Sequence, residues 1–489
     1  MAWDPAFESA FHPQAVAIVG ASASGASRST TRGGANFIRA YQQIGFPGRI
    51  YPVNPHAEEV LGRRAFPSVS TIPEPVDYVI VSVPAPEVPA VLEDCARAGA
   101  KNVHVYTAGF RESGAPEGVE LERRIAEIAR RERLRLVGPN SMGLCYVPRS
   151  RMSIFPGVSP EPGEVAFLSQ SGGHCLQFIQ YARGLGVRFS KVISYGNGII
   201  LDSTDFLEYL AKDPETRVLC VYVEGVRDGR RLLELVKATN PVKPVVLWKG
   251  GLTQSGARAA ASHTGSLAGE ARVWDAFFKQ TGALAVYALD DMADLAMTLV
   301  CNMVPPRGRR AAIVLSGGGY SVLAADTCAR EGLEVPEFTP ETQRALREFI
   351  PPAGNSIRNP VDAEAAVRNA DLFLRALELA AADPVVDLVI VSLHLDMLRQ
   401  VGEDNLRRMG QNLVRFAREN PYGKSVAAIL DSWGGDPVVQ KERSRLLEEL
   451  PRAGVPVFRN LLRASRSLAK LAEYYAFLRK AQGTLDVPD

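Results

Sequence analysis

The segment Ala260-Ala-Ser-His-Thr-Gly-Ser-Leu-Ala-Gly269 sets a histidine, His263, among small polar residues and glycines. No apolar period in that stretch draws the imidazole into a core. An ordinary imidazole, with a pKa of about 6.5, is mostly neutral near pH 7 and therefore nucleophilic. It can accept a phosphoryl group with little activation. A carboxylate could orient such a ring and stabilise its cation. Glu224, in Tyr222-Val-Glu-Gly-Val-Arg-Asp228, is a candidate because it ends a buried-looking strand. On the residues alone, a strand-end surface carboxylate is an equally good reading of Glu224.

The other histidines carry weaker signals. His12 lies near a terminus, His56 follows an Asn-Pro turn, His104 sits inside a strand and His394 ends one. His174 follows Gly173 at a helix start, beside Cys175. Adjacent helical residues point about 100° apart, which disfavours a Cys–His catalytic pair. His174 and Cys175 stay as candidate substrate contacts.

Three times a hydrophobic strand runs into a Gly/Ser-rich turn: Ala17-Ile-Val-Gly-Ala-Ser22, Ala166-Phe-Leu-Ser-Gln-Ser-Gly-Gly173 and Ala312-Ile-Val-Leu-Ser-Gly-Gly-Gly319. Such turns let backbone N–H groups approach an anion at the positive end of a helix, although tight turns also need glycine for purely structural reasons. The first is not a dinucleotide fingerprint, which wants an acidic residue ending the second strand. Here Arg49-Ile-Tyr-Pro-Val53 ends in Asn54-Pro55, leaving room for a phosphate-rich group, and no Gly-Lys-Ser/Thr is present. NAD is disfavoured. The turns at Gln170, Ser171, Gly172 and Gly173 and at Gly317, Gly318 and Gly319 are each suited to a phosphate. If the two helix starts face one another, they hold one phosphate from both sides.

The elements that must position these residues follow from pattern. Short β-branched runs alternate with longer helical stretches, which predicts an α/β fold of doubly wound parallel sheets covered on both faces. Expected strands are Ala15–Val19, Tyr78–Val83, Val103–Tyr106, Val165–Leu168, Val218–Val223, Val245–Trp248, Ala312–Leu315, Leu388–Leu393 and Ser425–Leu430. Expected helices include Val88–Ala98, Leu121–Arg131, Leu232–Thr239, Asn405–Arg418 and Leu461–Ala481. With 489 residues, and Pro-rich stretches at Val147–Pro162 and Val304–Arg310, three modules are expected: 1–146, 147–304 and 305–489.

Composition narrows the class. The apolar share of 46% and charged share of 22% are those of a globular protein, and a net charge of +2 offers no broad field for nucleic acid. No secretory signal or membrane-spanning run is evident. The six cysteines are scattered without a C-x-x-C pair, which suits a reducing, cytoplasmic setting and points to no bound metal.

Taken in order, these strings resemble the α subunit of the ADP-forming acyl-CoA synthetases of acetate–CoA ligase type, in the succinyl-CoA synthetase superfamily. The resemblance runs through Val53-Asn-Pro55, Ser82-Val-Pro-Ala-Pro86, Thr107-Ala-Gly-Phe110, Gly138-Pro-Asn140, Ser169-Gln-Ser-Gly172, Gly196-Asn197, Glu224-Gly225, Ser262-His-Thr-Gly-Ser-Leu-Ala-Gly269, Ser316-Gly-Gly-Gly319 and Asn359-Pro-Val-Asp362. It implies a Rossmann-like CoA-binding domain followed by two flavodoxin-like, succinyl-CoA synthetase-like domains. The implied reaction makes acyl-CoA, ADP and phosphate from an acid, CoA and ATP, through an acyl phosphate and a phosphohistidine. His263 would carry the phosphoryl group and Glu224 would stabilise it. Coenzyme A would lie along Gly20, Ala21, Ser22, Val53, Asn54, Pro55, Val83, Pro84, Thr107, Gly109 and Asn140. Mg-ATP and ADP would be handled by a separate ATP-grasp β subunit, since the three modules leave no residues for one. The chain departs from the family at Ser141-Met142 and at Gly173-His174-Cys175, both where the acyl group should approach. A non-catalytic CoA-binding protein on the same scaffold is the alternative.

Overall fold

The structure, a computed structural model, describes residues 7–22, 34–258, 270–301, 303–481 and 483. The chain divides into two compact units, Met1–Tyr181 with Arg188–Met292 and Ala182–Val187 with Ala293–Asp489.

The first unit holds two of the large sheets. One is built from Arg49–Val53, Ala15–Val19, Tyr78–Val81, Asn102–Val105 and Arg135–Val137, in that spatial order and all parallel. The chain's first strand therefore sits between its second and third, and the crevice beside that reversal, at the carboxyl ends of the strands, is where doubly wound sheets bind ligands. Both Tyr78–Val81 and Asn102–Val105 are buried at every position; the first is accordingly a continuous apolar run, whereas the second buries Asn102 and His104 between its valines. Helices such as Val88–Arg97 and Pro116–Arg131 cover them.

The second sheet runs Leu284–Val286, Val245–Lys249, Val218–Val223, Pro162–Ser169, Phe189–Ser194, Gly143–Val147 and Met152–Ser153. Its first five strands are parallel. The last two are antiparallel and depart from the expected all-parallel pattern. The chain leaves the first sheet through the turn Gly138–Met142 and runs straight into the second along Phe189–Ser194. The segment Gly143-Leu-Cys-Tyr-Val147 is thus an antiparallel strand held between Phe189–Ser194 and Met152–Ser153, and the turn ties the two sheets together.

The second unit carries Val361–Asp362, Ala311–Leu315, Leu388–His394, Ser425–Asp431 and Val457–Phe458, all parallel, again with the first strand between the second and third. Its core gathers residues such as Val314, Val391, Phe373 and Leu413. At roughly 1.5–3 kcal/mol for each large aliphatic or aromatic side chain removed from water, such clusters outweigh any single polar contact. Helix Leu461–Ala481 closes this unit. Among the described residues no helix is long and apolar enough to cross a membrane.

Candidate functional site

The carboxyl edge of the first sheet is a set of turns that hold one another. Gly20 has φ +84, and a Cβ there would stand 2.3 Å from Ser82 O, so only glycine lets the first turn lie against the third strand. Its N–H donates to Val53 O at 3.0 Å. Asn54 Nδ2 donates to Ala21 O at 2.7 Å, and Asn54 Oδ1 accepts from His56 N at 2.8 Å. The Asn54 side chain therefore fixes the shape of the first turn. Val53 is buried, whereas Pro55, Pro84 and Gly109 are exposed along the same edge. Thr107 Oγ1 donates to Val83 O at 2.6 Å, and Asn140 N donates to Thr107 O at 2.9 Å. Ser22 closes the described part of the first turn.

Facing this edge is the turn that opens helix Gly172–Arg183 of the second sheet. Ser169 Oγ donates to Ser171 O at 2.7 Å and accepts from Ser171 N at 3.1 Å, setting the loop. The helix start follows, where the leading N–H groups have no intrahelical acceptor. Between the two edges lies a cleft of about 490 Å³, lined by Val83, Thr107 and Asn140 on one side and Ser171, Gly172 and Gly173 on the other. Ser82, Tyr106, Ser141 and Met142 also line it. Met142 packs so closely that a Cβ on Gly172 would stand 2.7 Å from Met142 Cγ.

His104 supports this cleft from below. Its ring is fully buried, and Nε2 lies 2.9 Å from Ser141 O; a carbonyl only accepts, so Nε2 carries the proton and donates. Burial lowers the His104 pKa to about 4, against the opposing pull of the Ser141 carbonyl, so the ring is neutral near pH 7. The strand-borne histidine is a buried support, as its place in the sequence suggested.

Gln170 is turned inward. Its Oε1 accepts from Glu224 N at 2.8 Å, Gly225 N at 3.1 Å and Tyr195 Oη at 3.3 Å. Glu224 is only 5% exposed, and Tyr222 Oη donates to its Oε1 at 3.1 Å. Burial and then the charge of Glu224 push the Tyr222 phenol up, which keeps it a donor. Lys249, on the neighbouring strand, is buried over the Trp274 ring at 5.6 Å. Burial pulls its ammonium below the usual lysine range, and Glu224 works in the other direction.

His174 and Cys175 stand apart from the cleft. His174 stacks on Trp248 at 5.2 Å and meets Tyr222 edge-on at 4.4 Å. Cys175, one helical step round, is fully buried, with Sγ 3.6 Å from Ser171 O and 3.8 Å from Ile193 O. Of the two places where the sequence departs from the family it resembles, the cleft takes in Ser141-Met142 and Gly173 but neither His174 nor Cys175.

A second cleft of about 540 Å³, also touching Gln170, lies between helix Pro116–Arg131 and the segment that includes Asn197 and Arg227. Nothing in the local sequence marked it, because its basic residues come from three places along the chain: Arg111, then Arg123 and Arg130 on the helix, then Arg227. His263 lies outside the described residues. In the second unit, Gly317 N donates to Asp362 Oδ1 at 2.9 Å, at the start of helix Gly318–Arg330. Among the described residues no group of three or more His, Cys, Asp or Glu side chains is placed to hold a metal ion.

Comparison with known proteins fits this frame. A CoA-binding domain model matches residues 14–146, a succinyl-CoA ligase-like flavodoxin domain matches 162–299, and a ligase-CoA domain matches 311–448. The chain is 38% identical, over 96% of its length, to an ADP-forming acetate–CoA ligase I of Archaeoglobus fulgidus, and spans 63% of that enzyme. It is 35% identical to the α subunit of an ADP-forming acetate–CoA ligase II of Pyrococcus furiosus, covering 92% of this chain and 93% of that subunit. A solved acetyl-coenzyme A synthetase 1 of Ca. Korarchaeum cryptofilum, in complex with phosphate and ADP, superposes with a TM-score of 0.82 at 31% identity, covering 99% of both chains. On this evidence the chain belongs to the ADP-forming acyl-CoA ligase family.

Proposed function

We propose that the chain is the α-type subunit of an ADP-forming acid–CoA ligase and works with a separate ATP-grasp β subunit. The partner handles Mg-ATP and passes the γ-phosphoryl group to His263. The phosphohistidine gives that group to a carboxylate oxygen of the acid: the P–N bond breaks, a P–O bond forms and neutral imidazole returns. The CoA thiol then attacks the acyl carbon of the acyl phosphate. The C–O bond breaks, acyl-CoA forms, and phosphate leaves carrying the thiol proton.

In this scheme Gly20, Ala21, Ser22, Val53, Asn54 and Pro55 hold the phosphorylated adenosine end of CoA. Val83, Pro84, Thr107, Gly109 and Asn140 lead its thiol arm inward. Each of the helix starts, at Ser171–Gly173 and at Gly317–Gly319, can hold a phosphate by backbone N–H groups and the helix dipole. Gln170 shapes the first of these from behind. Glu224 stabilises the cationic ring of phosphohistidine and is itself held by Tyr222.

The observation that carries this reading is the 490 Å³ cleft, where CoA-edge residues and the second sheet's phosphate turn line one space. A thioester carbonyl and a phosphate can meet there. Calorimetry tests it: CoA should bind the chain, and Asn140→Ala or Thr107→Val should weaken binding by about tenfold, the effect of roughly 1.4 kcal/mol. A chain that binds NAD and not CoA overturns the reading.

A further inference from the structure

Asp362 ends a short strand beside Ala311–Leu315 and is 1% exposed. Its Oδ1 accepts from Gly317 N at 2.9 Å and from Glu364 N at 3.2 Å. Its Oδ2 is buried and meets no hydrogen-bond partner among the described residues. A Cβ on Gly318 would stand 3.5 Å from that oxygen, with no other non-neighbouring atom within 4 Å, and the positions above Gly317 and Gly319 are open. Gly318 and Gly319 are exposed. The orphan oxygen thus lies beside the open mouth of a 13-residue helix.

A buried acceptor without a donor costs about 1–3 kcal/mol and calls for a cause. Two demands meet at this turn. The helix N–H groups favour the acceptor oxygens of an anion. An ionised carboxylate only accepts, so Oδ2 wants a donor and repels a fully deprotonated oxyanion. An oxyanion that keeps a proton meets both demands, turning its unprotonated oxygens to the helix and its O–H to Asp362. Inorganic phosphate keeps at least one proton through the neutral range; sulfate, of the same shape, keeps none.

We infer that Gly317–Gly319 and Asp362 form a site for a protonated oxyanion, inorganic phosphate, in which Asp362 accepts the P–OH and discriminates against sulfate. This rests on the phosphate reading of the turn and adds the residue that sets its selectivity.

Hydrogen–deuterium exchange of the segment around Gly317–Ser321 in the full chain, with chelator present, gives a local readout. Phosphate should slow exchange there by about tenfold, the worth of one hydrogen bond to a charged group, while sulfate at equal concentration changes it by less than about twofold. Asp362→Asn places a donor beside the turn, so sulfate should gain and the difference should close. Equal protection by both anions in the parent chain, or discrimination that survives Asp362→Asn, overturns the role of Asp362 while leaving the phosphate turn standing. No protection by either anion overturns the phosphate reading itself. Should Asp362→Asn fail to fold, the parent chain's phosphate-against-sulfate comparison decides.

Discussion

Gln170 Oε1 accepts a hydrogen bond from the backbone N–H of Glu224 at 2.8 Å, so one side chain joins the phosphate turn to the strand end that carries the candidate stabilising carboxylate. The adjacent Gly225 N–H shares the same acceptor. Gln170→Ala takes this acceptor from three donors, Glu224 N, Gly225 N and Tyr195 Oη, and should destabilise the chain by about 1–3 kcal/mol. With Glu224 loosened, kcat should fall more than KM for CoA rises. Gln170→Glu keeps the acceptor and should recover most of both losses in thermal melts and steady-state kinetics with the ATP-grasp partner. Equal activity in the alanine variant contradicts the link.

Acid choice should follow Met142 more than His174 or Cys175. Met142 lines the cleft and packs against Gly172, whereas Cys175 is fully buried and His174 is held between Trp248 and Tyr222. Met142→Ala should raise kcat/KM for a bulkier acid relative to a small one by about tenfold, within the 1–3 kcal/mol that pocket-filling groups command, with CoA affinity unchanged. An acid screen of Met142→Ala, His174→Ala and the parent chain checks this. Identical profiles for Met142→Ala and the parent contradict it.

His104 should give the fold an acid limit. Its pKa is about 4 in the folded chain and about 6.5 when unfolded, so the unfolded state binds more protons between those values. A depressed folded pKa means its full contribution is present above about pH 6.5 and is lost as pH falls towards 4. The loss amounts to roughly 3 kcal/mol by the lower limit. Denaturant melts from pH 7 to pH 4 should show this slope, and His104→Gln should flatten it. A parent chain whose stability stays constant over that range rules out the neutral buried ring.

Much of the fold was legible because fully buried strands leave continuous apolar runs. Ala15–Val19, Val218–Val223 and the helix Leu461–Ala481 match their sequence-based bounds. Helix starts were placed late wherever capping, not apolar period, sets them. Asp228 caps the helix Gly229–Thr239 by accepting from Arg231 N, and Pro116 opens Pro116–Arg131. The antiparallel strand Gly143–Val147 was hidden because one partner, Phe189–Ser194, is far away in sequence. The CoA-edge turns were marked by their glycines. The internal duties of Asn54, Gln170 and Asp362 were not, since the type of a polar residue does not say whether its side chain faces a ligand or a neighbouring turn.

The central claim concerns His263, and direct labelling tests it best. The chain, with its ATP-grasp partner, is given acyl-CoA and radiolabelled phosphate, and the protein-bound label is followed. The account expects an acid-labile, alkali-stable label of phosphoramidate type on His263. Glu224→Gln should slow its formation by about tenfold or more, as loss of a charge-stabilising partner does. His263→Asn should abolish it without weakening CoA binding. Label that persists in His263→Asn, or full ligase activity in that variant, contradicts the account.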